Sequence, residues 1–116
     1  MVQPMKWYFA INESGTRNDA GALARLAVLS ARQQTTLEPH MLYRGERSEF
    51  TDWMERQGVR IIDVVPRYER SLQRAISEGW YPSGWTGHWL RTEICLLEHQ
   101  EEFVLYTDVD VIFLRV

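Results

Sequence analysis

Asp108 and Asp110 stand two residues apart inside an otherwise apolar run, Val104-Leu105-Tyr106-Thr107-Asp108-Val109-Asp110-Val111-Ile112-Phe113-Leu114. An unpaired buried carboxylate is costly, so a strand carrying two of them must neutralise them or end in a cleft. Residues two apart along an extended chain point the same way, which lets both carboxylates converge on one hard cation. Their oxygens suit Mg²⁺ or Mn²⁺, ions that also take phosphate oxygens and water. Two carboxylates underfill an octahedral shell, and a diphosphate is the natural group to complete it. Acidic pairs are also common at strand ends and turns, so the meaning of this one depends on its surroundings.

Those surroundings alternate between strands and helices. Lys6 to Ile11 is an aromatic and β-branched run and reads as a first strand, broken by the turn formers Asn12-Glu13-Ser14-Gly15. From Asp19 to Arg32, Ala22, Leu23, Leu26, Ala27 and Leu29 to Ala31 recur near helical spacing, with Asn18 or Asp19 as the cap. Pro39 to Tyr43 reads as a second strand. Phe50, Trp53 and Met54 share one face of a short helix closed by Gly58. Val59 to Val65 is a third strand, stopped by Pro66. After an ambiguous stretch from Arg67 and a loop over Gly79 to Trp85, an α-helix is expected over about Thr86 to His99, with Trp89, Leu90, Ile94 and Leu97 as its apolar face. The aspartate-bearing run is the last strand. This grammar predicts an α/β fold, a Rossmann-like three-layer sandwich with a mainly parallel sheet, as one domain over 1–116. Ligands of such sheets bind beyond the carboxyl ends of the strands, where Asp108 arrives.

Composition excludes several classes. The net charge of −3 gives no long-range attraction to nucleic acid or anionic lipid. A single cysteine, Cys95, builds neither an internal disulfide nor a cysteine-based zinc site, and on a helix among apolar neighbours it is expected to be buried and inert. No signal-peptide pattern and no apolar stretch long enough for a membrane span occur, so a soluble, cytoplasmic protein is expected. Neither a Gly-x-Gly-x-x-Gly after the first strand nor a phosphate-binding Gly-Lys-Ser/Thr loop is present.

Two segments carry a family resemblance. Gly87-His88-Trp89-Leu90-Arg91-Thr92-Glu93-Ile94 and Val104-Leu105-Tyr106-Thr107-Asp108-Val109-Asp110-Val111 resemble the nucleotide-sugar half of GT-A glycosyltransferases, and look closest to family 8. In that family a helix bearing Arg-Leu leads into a strand written Tyr-Leu-Asp-x-Asp. Here Thr107 replaces the leucine, and a threonine follows Arg91. The resemblance implies the N-terminal half of a GT-A fold and transfer of a sugar from a UDP-sugar donor to a hydroxyl acceptor, assisted by Mn²⁺ or Mg²⁺. It implies that Asp110 binds the cation, that Asp108 shares the metal or holds the ribose, and that Arg91 touches the diphosphate or donor sugar. The family's acidic loop after the first strand corresponds to Ile11-Asn12-Glu13-Ser14, where Asn12 and Ser14 are candidates for contacting the nucleotide. No histidine-glycine-lysine motif, which completes that family's site, follows. The acceptor half is accordingly expected to be missing, and the 116-residue chain to be a truncated donor-binding domain.

Two further readings compete. An Asp-x-Asp after an apolar strand also serves haloacid-dehalogenase-like phosphatases, but these expect threonine or valine where Ile112 stands, and place the motif at the start of the domain. A non-catalytic α/β fragment binding nucleotide and metal is the other. Trp80, Tyr81, Trp85 and Trp89 are expected to pack as core beneath a loop. His40, His88 and His99 show no ligand spacing, and Glu101 and Glu102 read as a charged turn.

Overall fold

A computed structural model describes residues 4–97, 101 and 103–115; of residues 83–88 only the backbone is described. Trp85 and His88 as side chains, and His99 and Glu102 altogether, therefore lie outside the described residues.

The chain builds β1 (Lys6–Asn12), α1 (Asp19–Gln34), β2 (Glu38–Arg44), α2 (Glu49–Arg56), β3 (Arg60–Asp63), α3 (Glu69–Ser77), a 3-10 segment (Ser83–Leu96) and β4 (Leu105–Tyr106). All four strands are parallel, in the order β3-β2-β1-β4. The α/β fold with a parallel sheet is thus as expected, and its layers are compatible with a Rossmann-like sandwich.

Strand alternation sorts the core into two faces. Trp7, Phe9 and Ile11 of β1 and Met41 and Tyr43 of β2 point to one face, where α1 and α2 cover them. Tyr8 and Leu42 point to the other, against Leu90 of the 3-10 segment. Because the side-chain period of a strand is two, a one-residue slip would exchange these sets, and the seven-residue β1–β2 register from Lys6↔Glu38 to Asn12↔Arg44 forbids it.

The helices are bounded by local chemistry. The Asn18 side chain accepts from the Ala20 N–H at 2.8 Å and caps α1. α2 begins at a Ser48–Thr51 capping box. It ends with Gly58 N–H on the Glu55 carbonyl and Val59 N–H on the Met54 carbonyl, both at 3.0 Å. This closure needs the left-handed φ of +86° at Gly58.

Five expectations are corrected. α1 buries Gly21, Ala24, Ala27, Val28 and Ala31, whereas Leu23, Leu26 and Leu29 are exposed. The sheet face below is filled by large rings, so the small residues let the helix sit close and interiors keep their density. The helix expected over Thr86 to His99 is a 3-10 segment instead. Gly84 and Gly87, with Trp, Thr and His between and after them, weaken an α-helix there. The long last strand pairs only at Trp7↔Leu105 and Tyr8↔Tyr106; Thr107 N–H still reaches the Tyr8 carbonyl, and the chain then bends at Val109–Asp110. Trp80 is 81% exposed, Trp89 is also exposed and so is Cys95, so neither tryptophan is core and the thiol is not buried. No helix among the described residues is long and apolar enough to cross a membrane.

Candidate functional site

The strand order itself locates a crevice. From β1 the chain moves outward to β2 and β3, then returns to the opposite side of β1 with β4. Connections therefore diverge at the carboxyl ends of β1 and β4, the switch point where open parallel sheets take ligands. A cleft of about 410 Å³ lies there, lined by Asn12, Gly15, Asn18, Arg91, Tyr106, Asp108 and Asp110, with Ala10, Ile11, Ala20 and Val109.

One wall is the loop after β1. The Asn12 side-chain oxygen accepts from the Gly15 N–H at 2.9 Å and from the Ser14 hydroxyl at 3.0 Å, closing a tight turn. A Cβ on Gly15 would come within 2.8 Å of Ile11, which explains the glycine. Behind this turn, Glu13 accepts from the Glu46 N–H at 2.7 Å and pairs with Arg17 at 3.1 Å, and Tyr43 donates to the Glu46 carbonyl at 2.7 Å. The loops after β1 and β2 are thus joined. The first turn of α1 completes this wall, and its amides favour negative charge.

The other wall comes from the 3-10 segment and the residues after β4. Trp7 Nε1–H donates to Thr107 Oγ1 at 2.8 Å. This bond gives Thr107 a structural role at the end of β4. Val109, Val111 and Phe113 pack back onto the core, leaving Asp108 and Asp110 exposed between them. The Tyr106 hydroxyl donates to Asp108 at a long 3.4 Å; burial first, and the Asp108 charge second, push it up to about 12, so it stays a donor at neutral pH. Arg91 Nη1 lies 3.8 Å from Asp108 Oδ1. The segment that carries Arg91 is held by buried Leu90 and by buried Glu93, whose carboxylate accepts the Arg67 N–H at 2.5 Å.

Of the five candidates from sequence, Asn12, Arg91, Asp108 and Asp110 line one cleft. Ser14 does not; it supports the Asn12 turn. Gly15, Asn18 and Tyr106 line it without having been expected there. Tyr106 had a signal: it precedes Asp108 by two, on the same strand alternation. No family model matches the sequence, and no curated protein or solved structure matches it.

Whether a divalent cation fits turns on the donor set. Asp108 and Asp110 offer hard oxygen donors on one wall, accessible to a hydrated ion. Among the described residues no group of three or more His, Cys, Asp or Glu side chains gathers as a metal cage. The two carboxylates fit Mg²⁺ or Mn²⁺ shared with a ligand oxyanion, since Mg²⁺ in particular keeps waters and is held by one or two carboxylates plus phosphate.

Proposed function

We propose that the chain binds a nucleoside diphosphate sugar, most simply a UDP-sugar, and forms the donor-binding part of a metal-dependent glycosyltransferase acting on a hydroxyl acceptor. One observation carries this reading: the switch-point cleft collects an amide turn, a guanidinium and two carboxylates around a common space. Asp108 and Asp110 are the residues to hold Mn²⁺ or Mg²⁺. When bound, the cation supplies charge stabilisation for a departing diphosphate. Arg91 would contribute a second positive charge from the same wall to a bound diphosphate. The Asn12 turn and the first turn of α1 border the space left for the nucleoside.

A second reading, nucleotide and cation binding without transfer, is favoured by the exposure of both aspartates, since transfer needs reacting groups held in register and shielded from water.

The test is calorimetric titration with UDP, with and without Mn²⁺, on the chain and on Asp110→Ala. Manganese-dependent binding that weakens by about tenfold or more in the variant is expected, by analogy with the loss seen when metal-site support is removed. UDP-sugar hydrolysis by the same sample then separates transfer from binding alone. A folded chain that ignores UDP under both conditions overturns the proposal.

A further inference from the structure

Arginine pairs in this chain come in two kinds. Arg47 grips Asp63 with both terminal nitrogens, at 3.1 and 2.9 Å, and Arg44 Nε meets Glu69 at 2.7 Å. These forked or short contacts tie β2 to α3 and the loop after β2 to β3, as guanidinium geometry favours. Arg91 and Asp108 are looser, as are the surface pairs Arg74–Glu78 at 3.6 Å and Arg56–Glu49 at 3.9 Å, but of these three Arg91–Asp108 alone lines the cleft. Its single closest approach is 3.8 Å, and its side chains remain 50% and 65% exposed. The pair sits inside the cleft, where nothing structural hangs on it: the backbone of Arg91 is held independently by Leu90 and Glu93, and that of Asp108 by the Thr107 anchor to Trp7 and Tyr8.

The two aspartates are also unequal. Asp108 has Arg91 and the Tyr106 hydroxyl beside it, whereas Asp110 has no hydrogen-bond or ion-pair partner among the described residues. Positive charge therefore faces one carboxylate of this wall and not the other, on a guanidinium with five donors and a long, flexible stem.

We infer that Arg91 is a displaceable counter-cation for Asp108: it occupies the carboxylate until a divalent cation takes its place, and its guanidinium is thereby freed for the anionic part of the ligand. This rests on the donor-site reading above and adds to it a regulation of that site. The exchange makes the two ligands help each other. The cation must displace Arg91, so alone it binds weakly; once displaced, Arg91 adds a positive charge to the diphosphate side. Coupling between two ligands is reciprocal, so the diphosphate, by drawing Arg91 away, tightens the cation to the same degree. An exposed, loosely seated pair is weak enough to yield to this competition.

The experiment measures Mn²⁺ binding alone, from the loss of the free-ion electron paramagnetic resonance signal, and UDP binding at saturating Mn²⁺ by calorimetry. Both are run on the chain, on Arg91→Gln and on Arg17→Gln; Arg17 pairs with Glu13 and serves as a control for net charge. Removing the competitor should raise Mn²⁺ affinity about two- to fivefold, the range of an exposed ion pair. The same Arg91→Gln variant should lose UDP affinity, and Arg17→Gln should do neither. Opposite signs in one variant cannot come from a general loss of structure. Arg91→Lys, which keeps the charge as a compact ammonium, should restore most of the weak Mn²⁺ binding. Mn²⁺ affinity that is unchanged in Arg91→Gln, or raised equally by Arg17→Gln, overturns the displacement while manganese-dependent UDP binding leaves the donor site standing. Absence of Mn²⁺ binding to both the chain and Arg91→Gln overturns the displacement, and absence of UDP binding at saturating Mn²⁺ as well overturns both.

Discussion

The two walls of the cleft are built to different standards. The β1 side rests on a seven-residue strand pairing, a capped sixteen-residue helix, and a turn whose carbonyl, amide and carboxylate groups all find partners. The β4 side rests on two paired residues, the Thr107 bonds to Trp7 and Tyr8, the Phe113 N–H on Ser30 Oγ at 3.0 Å, and a 3-10 segment, a geometry with poorer hydrogen bonds than an α-helix. Yet the charged groups, Arg91, Asp108 and Asp110, belong to the second wall. The fold thus puts shape on its most heavily tied elements and chemistry on its least tied ones, in keeping with the low local stability that binding segments tend to have.

That contrast can be broken outright at Trp7. Its ring is fully buried, lies 4.9 Å from both Phe9 and Phe113, and its N–H holds Thr107, so it belongs to both walls. Trp7→Ala should cost about 3–5 kcal/mol by urea denaturation and disorganise both sides together. Thr107→Val is the selective version. It keeps the volume, strands the indole N–H and should cost about 1 kcal/mol. Amide exchange should then quicken around 105–110 while residues 7–11 and 24–31 keep their protection; a uniform loss of protection would mean the walls are one cooperative unit.

The smallest effect is one of pH, and it belongs to the better-tied half. His40 is buried beside Tyr8, with Nδ1 on the Glu38 carbonyl at 2.8 Å. Burial lowers its pKa, helped by the Lys6 and Arg60 charges, while the Glu38 carbonyl and carboxylate oppose the shift; Lys6 itself pairs with Glu101 at 2.7 Å. A folded value below the unfolded one, near 6.5, means that the unfolded chain takes up this proton first as pH falls. The His40 contribution is therefore complete above about pH 6.5 and is lost on acidification. Comparing urea midpoints at pH 7.5 and 5.5, the wild type should fall further than His40→Gln.

How far the sequence carried differs along the same line. β1, β2, the Asn18 cap and Gly58 were legible because each is decided by near neighbours: alternation, an oxygen next to a bare amide, a glycine at a left-handed φ. The Asp108–Asp110 pair was legible from its contrast with the apolar run. What was not legible depended on distant partners. Which face of α1 packs was decided by the rings of Trp7, Phe9 and Tyr43 beneath it, which favoured alanine over leucine. The short β4 and the exposure of Trp89 and Cys95 followed from how the 3-10 segment crosses the sheet, which no local spacing encodes. Arg91 was named as a site residue through resemblance, and its pairing with Asp108, seventeen residues on, was not expected from the sequence at all.

The carboxylate of Glu13, bridging the loops after β1 and β2, has a consequence for ligand entropy. The loop after β1, which lines the cleft, is tied by it to the loop after β2, which does not, so part of its ordering is completed during folding and not during capture. Under the proposed reading, a ligand would then find the β1 wall ordered and the exposed Arg91 and aspartate side chains left to order.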